Sequence, residues 1–246
     1  MENFQEMITQ AAEMKEYELK KDRKQFESLP NYLKTGLNYS KKYEQLRLQH
    51  FAFQIFVSDC LKNEGNEQVA QQSYEEALAK YEEALAVFRW IDTATNQNLK
   101  DSDLRYNKYE PEEEHRASLD GHLSKLYLNI CLCLTKLNRK EEAIAATEEV
   151  IRMEPDNAKA YYRKGQAYVQ YINREETDVK EGLKWLERSY EISKDPQLLN
   201  EMQAIRRKVV EERHKAKKAF SFIINNGVKP SVEPTSAVKD NENLPV

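Results

Sequence analysis

Apolar residues recur at helical spacing along most of the chain. Tyr39, Tyr43, Leu46, His50, Phe53 and Val57 fall at i, i+3, i+4 intervals, and Leu198, Met202, Ile205, Val209 and Phe220 do nearly the same after Pro196. Residues 2 to 27 read as a charged amphipathic helix broken at Leu29 and Pro30. Helix breakers are scarce, 6 Gly and 7 Pro in 246 residues. An all-helical chain is therefore predicted.

A longer period lies over the helical one. Asn129 and Arg163 are 34 residues apart, as are Cys131 and Gly165, within LYLNICLCLTKLNRKEEAI and AYYRKGQAYVQYINREETD. Thirty-four residues is the period of the tetratricopeptide repeat, a helical hairpin that buries its apolar face only by stacking on its neighbours. Stacked hairpins make a concave groove, which favours binding over catalysis. A first repeat is read from Gly65, Ala77, Tyr81 and Ala84 in GNEQVAQQSYEEALAKYEEAL. In the second, Cys131 stands where Gly is usual, Ala143 keeps the small position and Pro155 stops the second helix. In the third, Gly165 and Tyr168 are in place and Gly182 comes about five residues late, so a polar surface insertion is expected around Asn173 to Val179.

Gly65 and Cys131 are 66 residues apart, nearly two periods, yet Phe88 to His122 holds no further repeat. This insertion is expected to lengthen the second helix of repeat one to Trp90 or beyond. The polar loop NQNLKDSDLRYNKYEPEEEH follows, and a long helix starts near Ala117. The expected organisation is an all-α solenoid of three hairpins over 39–194, preceded by an N-terminal helical arm, 1–38. A capping helix, 195–224, and a disordered tail, 225–246, follow.

Charge is nearly balanced: 38 basic against 42 acidic residues leave a net −4 and no whole-chain footprint for nucleic acid. No apolar run is long enough to span a membrane, and the first residues lack a signal-peptide core, so a cytoplasmic protein is expected, with nucleus or cytoskeleton as alternatives. Cys60, Cys131 and Cys133 form no CxxC pair and are expected as reduced, packed thiols. Cys131 and Cys133 point about 200° apart on a helix and cannot share a metal. No cofactor is expected. The glycines form no phosphate-binding pattern, His50, His115, His122 and His214 share no ligand spacing, and Ser and Cys nucleophiles have no recognisable partners.

Binding residues stand out in the repeats. Lys62 and Asn66 are i, i+4 on the first helix of repeat one, Lys159 and Arg163 repeat that geometry in repeat three, and Asn129 lies between them. Since first helices line the inner surface, these charges and amides converge on a groove suited to closely spaced carboxylates, as at a chain end. In KNEGN, LYLNICLCL and KAYYRKGQA the chain resembles the carboxylate-clamp repeats of chaperone cofactors, over about residues 56 to 224. Within them it is most similar to the repeat domain of the large immunophilins. The resemblance implies that Lys62, Asn66, Asn129, Lys159 and Arg163 grip the C-terminal EEVD of a cytosolic heat-shock chaperone. The 55 or so residues before the repeats are too few for a prolyl isomerase domain, so that activity is not implied.

The expected function is a non-enzymatic adaptor, co-chaperone-like, with a second protein partner at the N-terminal arm. A structural scaffold of a cytoskeletal or ciliary assembly is the alternative. Arg206, Arg207, Lys208, Arg213, Lys215, Lys217 and Lys218 give the last helix a basic face, read as solvated. Tyr39, Tyr43, Phe53 and Phe56 are read as core.

Overall fold

The computed structural model describes residues 2–93, 104–172 and 174–225. The chain divides into two compact units, Met1–Asp195 and Pro196–Val246. In the first, helix α1 (Glu2–Ser28) is followed by three single turns, α2 (Asn31–Lys34), α3 (Gly36–Tyr39) and α4 (Glu44–Arg47). Three hairpins then follow: α5 (Phe51–Ala70) with α6 (Tyr74–Leu85), α7 (Glu113–Lys136) with α8 (Lys140–Met153), and α9 (Ala158–Gln170) with α10 (Glu176–Ser193). The second unit contains one long helix, α11 (Pro196–Asn225), opened by Pro196 as the sequence predicts.

The repeat residues close each hairpin. A Cβ on Gly65 would stand 2.6 Å from the Tyr81 ring, and one on Gly165 would stand 2.8 Å from the Gly182 carbonyl oxygen. Gly165 lets α9 and α10 approach to backbone contact, and Gly65 admits the Tyr81 ring against α5. Tyr81, Ala84, Cys131, Ala143 and Val150 are buried in one continuous core running through the stacked repeats. Each buried large side chain contributes roughly 1.5–3 kcal/mol, available only when the next hairpin is in place. Helix α5 touches α7, and α7 touches α9, whereas no comparable contact joins α6 to α8 or α8 to α10. The first helices therefore lie on the inner side of the curve. The chain has the tetratricopeptide-repeat fold.

The insertion departs from expectation. Helix α6 ends at Leu85, and Trp90 lies in a strand: β1 (Arg89–Thr93) pairs antiparallel with β2 (Leu104–Lys108), Ile91 opposite Tyr106, before α7 begins at Glu113. Phe88 and Ile91 are fully buried while Asp92 is exposed, and the Tyr109 N–H donates to the Phe88 carbonyl at 2.8 Å, prolonging the ladder. Branched and aromatic residues on a half-buried ribbon prefer the strand. Residues 94–103, which include 96–103 of the expected polar loop, lie outside the described residues, as does the tail 226–246; the rest of that loop forms β2 and the start of α7.

Between residues 39 and 50 no continuous helix forms. The Arg47 guanidinium takes up the carbonyls of Ser40 (2.6 Å) and Ala86 (2.8 Å), and the buried Gln54 amide donates to those of Arg47 and Gln49. Backbone acceptors committed to side chains cannot serve a helix ladder. In the third repeat α10 begins six residues before Gly182, where α8 begins three before Ala143, so the insertion is one added helical turn plus a longer connection. Asn173 lies outside the described residues. Tyr43 is buried and Tyr39 packs on the core, but Phe53 and Phe56 are exposed, stacked on one another at 6.4 Å, and Cys60 is exposed too. They lie on a face of α5 that no later repeat covers.

The span expected as an arm behaves in two ways. Helix α1 is exposed over most of its length and rests on the hairpin through Asp22 and Arg105, 3.3 Å apart. Tyr32 and Leu33, by contrast, are buried in the repeat core. The Tyr32 ring meets Tyr127 edge-on at 6.3 Å, and the Asn31 N–H donates to Glu142 Oε2 of α8.

Candidate peptide-binding groove

The five residues singled out in the repeats lie on the inner helices α5, α7 and α9. Asn66 and Asn129 are in direct contact: Asn129 Nδ2 donates to Asn66 Oδ1 at 3.1 Å, and the Tyr81 hydroxyl donates to the same oxygen at 2.8 Å. Gly65 makes this possible, because it admits the Tyr81 ring beneath α5. On the other side of α7, Cys131 Sγ is 3.9 Å from the Arg163 carbonyl. Burial pushes the Cys131 and Cys133 thiols up to about 12, opposed by the Arg163 charge, so both stay protonated packing groups. Arg163 is half-buried, and its Nε has no hydrogen-bond partner among the described residues.

Lys159 is exposed in the first turn of α9, where no acidic residue accompanies it. Helices α6, α7, α8 and α10 all carry carboxylates in that turn. A helix N-terminus is already electropositive, so a lysine there sums with the dipole instead of opposing a carboxylate. The Asn157 side chain caps the same helix, accepting from the Ala160 N–H at 3.1 Å. Lys62 differs: its ammonium is in contact with Asp59 one turn earlier, and only 16% of its side chain is exposed.

Asp59 also faces His122 Nδ1 at 3.4 Å, and His122 Nε2 lies 2.8 Å from Ser58 Oγ. This serine, histidine and aspartate arrangement is not legible in the sequence, since His122 lies 64 positions from Ser58. It is not a nucleophile in waiting. Ser58 is fully buried, its hydroxyl within hydrogen-bond distance of both the Ala84 carbonyl (3.0 Å) and His122 Nε2, so it is held inside the core. Burial lowers the His122 pKa to about 4, with Asp59 opposing and Lys62 and Lys125 assisting, leaving a neutral imidazole at neutral pH. Among the described residues Glu112, Glu114 and His115 come within 4.8 Å of one another at the start of α7, an arrangement exposed acidic groups often make without an ion.

Sequence reasoning missed Lys125. It is exposed on α7, one turn before Asn129, and stands 34 residues from Lys159, as Asn129 does from Arg163. The signal was the same repeat register that revealed the other pair. The back of the repeats is where the N-terminal segment packs: Tyr127, which meets Tyr32, is two residues from Asn129 and so points to the opposite side of α7. Tyr32 and Leu33 do not enter the groove.

No protein-family profile matches the chain. It is 30% identical over 116 residues to aryl-hydrocarbon-interacting protein-like 1 of Mus musculus, which covers 47% of this chain and 31% of that protein. The chain thus spans about a third of the length of the curated relatives it matches. Among solved structures it is similar to the C-terminal repeat-containing domain of a putative FK506-binding protein of Plasmodium falciparum. There the TM-score is 0.48 at 20% identity, over 68% of this chain and 97% of that one. It is also similar to the Hsp90 co-chaperone Cns1 of Saccharomyces cerevisiae, with TM-score 0.49 at 19% identity, over 73% of this chain and 47% of that one. No helix among the described residues is long and apolar enough to cross a membrane.

Proposed function

We propose that this protein is a non-enzymatic adaptor that captures an acidic C-terminal peptide, of the EEVD type carried by cytosolic heat-shock chaperones, in the groove of α5, α7 and α9. The observation that carries the reading is the Asn66–Asn129 contact, which joins the amides of two repeats on the inner face. Lys159 and Arg163 continue that face on the third repeat. Amides pair with a peptide backbone, and the cations, with the positive end of α9, attract its carboxylates. Lys62 contributes at the edge of the same surface. Such a partner implies a cytoplasmic site of action.

Titration with an acidic pentapeptide ending in a free carboxylate should give micromolar binding, about −7 to −8 kcal/mol, weakening as salt rises because exposed charges are screened. Lys159→Ala should cost roughly 2 kcal/mol of that binding with little change in thermal stability, since the side chain is exposed. Affinity unchanged by both salt and Lys159→Ala would leave a scaffold without a peptide clamp as the better account.

A further inference from the structure

Lys62 and Lys125 sit near the same buried imidazole, since both charges bear on His122, yet their situations differ. The Lys62 ammonium is tied to Asp59 within its own helix, and its side chain is largely covered. Lys125 is exposed and makes no hydrogen bond or ion pair among the described residues. It shares a face of α7 with Asn129, four residues on, and that face is directed at α5 by the contact between Asn129 and Asn66. Its register is that of Lys159: each lysine precedes by one turn the polar residue that its repeat presents to the groove.

We propose that Lys125 supplies the cation that a peptide carboxylate meets at the α5–α7 end of the groove, while Lys62 is held in reserve by Asp59. The inference rests on the peptide-groove reading above and assigns its charge differently. A ligand carboxylate approaching Lys62 has to compete with the Asp59 carboxylate already in contact, and it brings a second negative charge beside the first. The imidazole on the other side of Asp59 is neutral and does not offset that repulsion. A carboxylate approaching Lys125 meets an unengaged, solvent-facing ammonium. Asp59 thereby acts as a specificity-determining residue, directing an acidic ligand toward α7.

The test compares the whole chain with its Lys125→Gln, Lys62→Gln and Lys125→Gln/Asp59→Asn variants by calorimetric titration with the acidic pentapeptide, at two salt concentrations. Lys125→Gln should weaken binding about tenfold and flatten its salt dependence, and Lys62→Gln should weaken it less than about threefold, as for a charge already paired. Adding Asp59→Asn to Lys125→Gln should restore part of the lost affinity by releasing Lys62, an effect a purely structural role for Asp59 would not produce. Melting curves of all variants confirm that each is folded. An equal or greater loss for Lys62→Gln than for Lys125→Gln overturns the proposal while leaving the groove reading intact. Absence of binding by the unmodified chain removes both.

Discussion

Asn129 Nδ2 donates to Asn66 Oδ1 across 3.1 Å, so two side chains 63 positions apart form one polar seam between the first helices of successive repeats. The acceptor keeps a second donor, the Tyr81 hydroxyl. Asn129→Ala should therefore leave no buried acceptor unpaired and change stability by less than about 1 kcal/mol. Affinity for an acidic C-terminal peptide should nevertheless fall about tenfold or more, because the amide that would meet the peptide backbone is gone. Thermal melts and calorimetry on the same variant separate the two effects.

Gly65→Ala tests the closure of the first hairpin. The added Cβ would lie 2.6 Å from the Tyr81 ring, and that ring is itself buried between α5 and the core. Overpacking of this kind costs about 1–3 kcal/mol. Chemical denaturation should show that loss, and peptide affinity should fall with it because Tyr81 positions Asn66. A variant as stable as the parent would contradict the packing described.

Two buried groups set the pH dependence of stability. Burial raises Glu82 to about 7, so its contribution is full below the ordinary carboxylate range near 4.5 and is lost as pH rises through about 7. His122 is the opposite case: lowered to about 4, its neutral form stabilises above 6.5, and that contribution fades as pH falls toward 4. Glu82→Gln should stabilise the fold at pH 8 by on the order of 2 kcal/mol and have no such effect at pH 4.5. Melting temperatures of parent and variant across this range check the sign, and parallel profiles would refute it.

Truncation separates the two halves of the N-terminal span. Removal of residues 1–28 takes away a helix that is exposed over most of its length, and should leave the melting temperature within a few degrees. Removal of 1–47 also deletes Tyr32, Leu33, Tyr43 and the Arg47 guanidinium that holds Ala86 and Val87. That loss of buried aromatic area and hydrogen bonds should unfold the first repeat, visible as reduced helicity by circular dichroism.

The repeats themselves were legible because their signals are local and periodic: Gly65 with Tyr81, Cys131 with Ala143, and Pro155 at a helix end need no tertiary context. The 34-residue register also located Asn129 and Arg163. It would have found Lys125 had it been extended to the preceding turn. What escaped depended on long-range partners. The strand at Trp90 forms where Phe88 packs into the repeat core and Ile91 is buried in a ribbon that also meets the N-terminal turns α2 and α3, and neither fact is encoded in five residues of RWIDT. Tyr32 looked like part of a detached arm because its contact, Tyr127, is distant in sequence. The Lys62–Asp59 contact is an i, i+3 pair within one helix, whereas the approach of His122 to Asp59 from another helix depends on the fold.

Whether the groove reads the carboxylates of an acidic chain end is decided by a calorimetric titration with two pentapeptides identical but for the terminus. One carries a free C-terminal carboxylate and the other a carboxamide. Micromolar binding of the first, weakened at least about tenfold for the second, is the predicted result, as expected when a charge partner is removed from a pair of cations. Equal affinity for both peptides, or binding of neither, would contradict a carboxylate-reading groove.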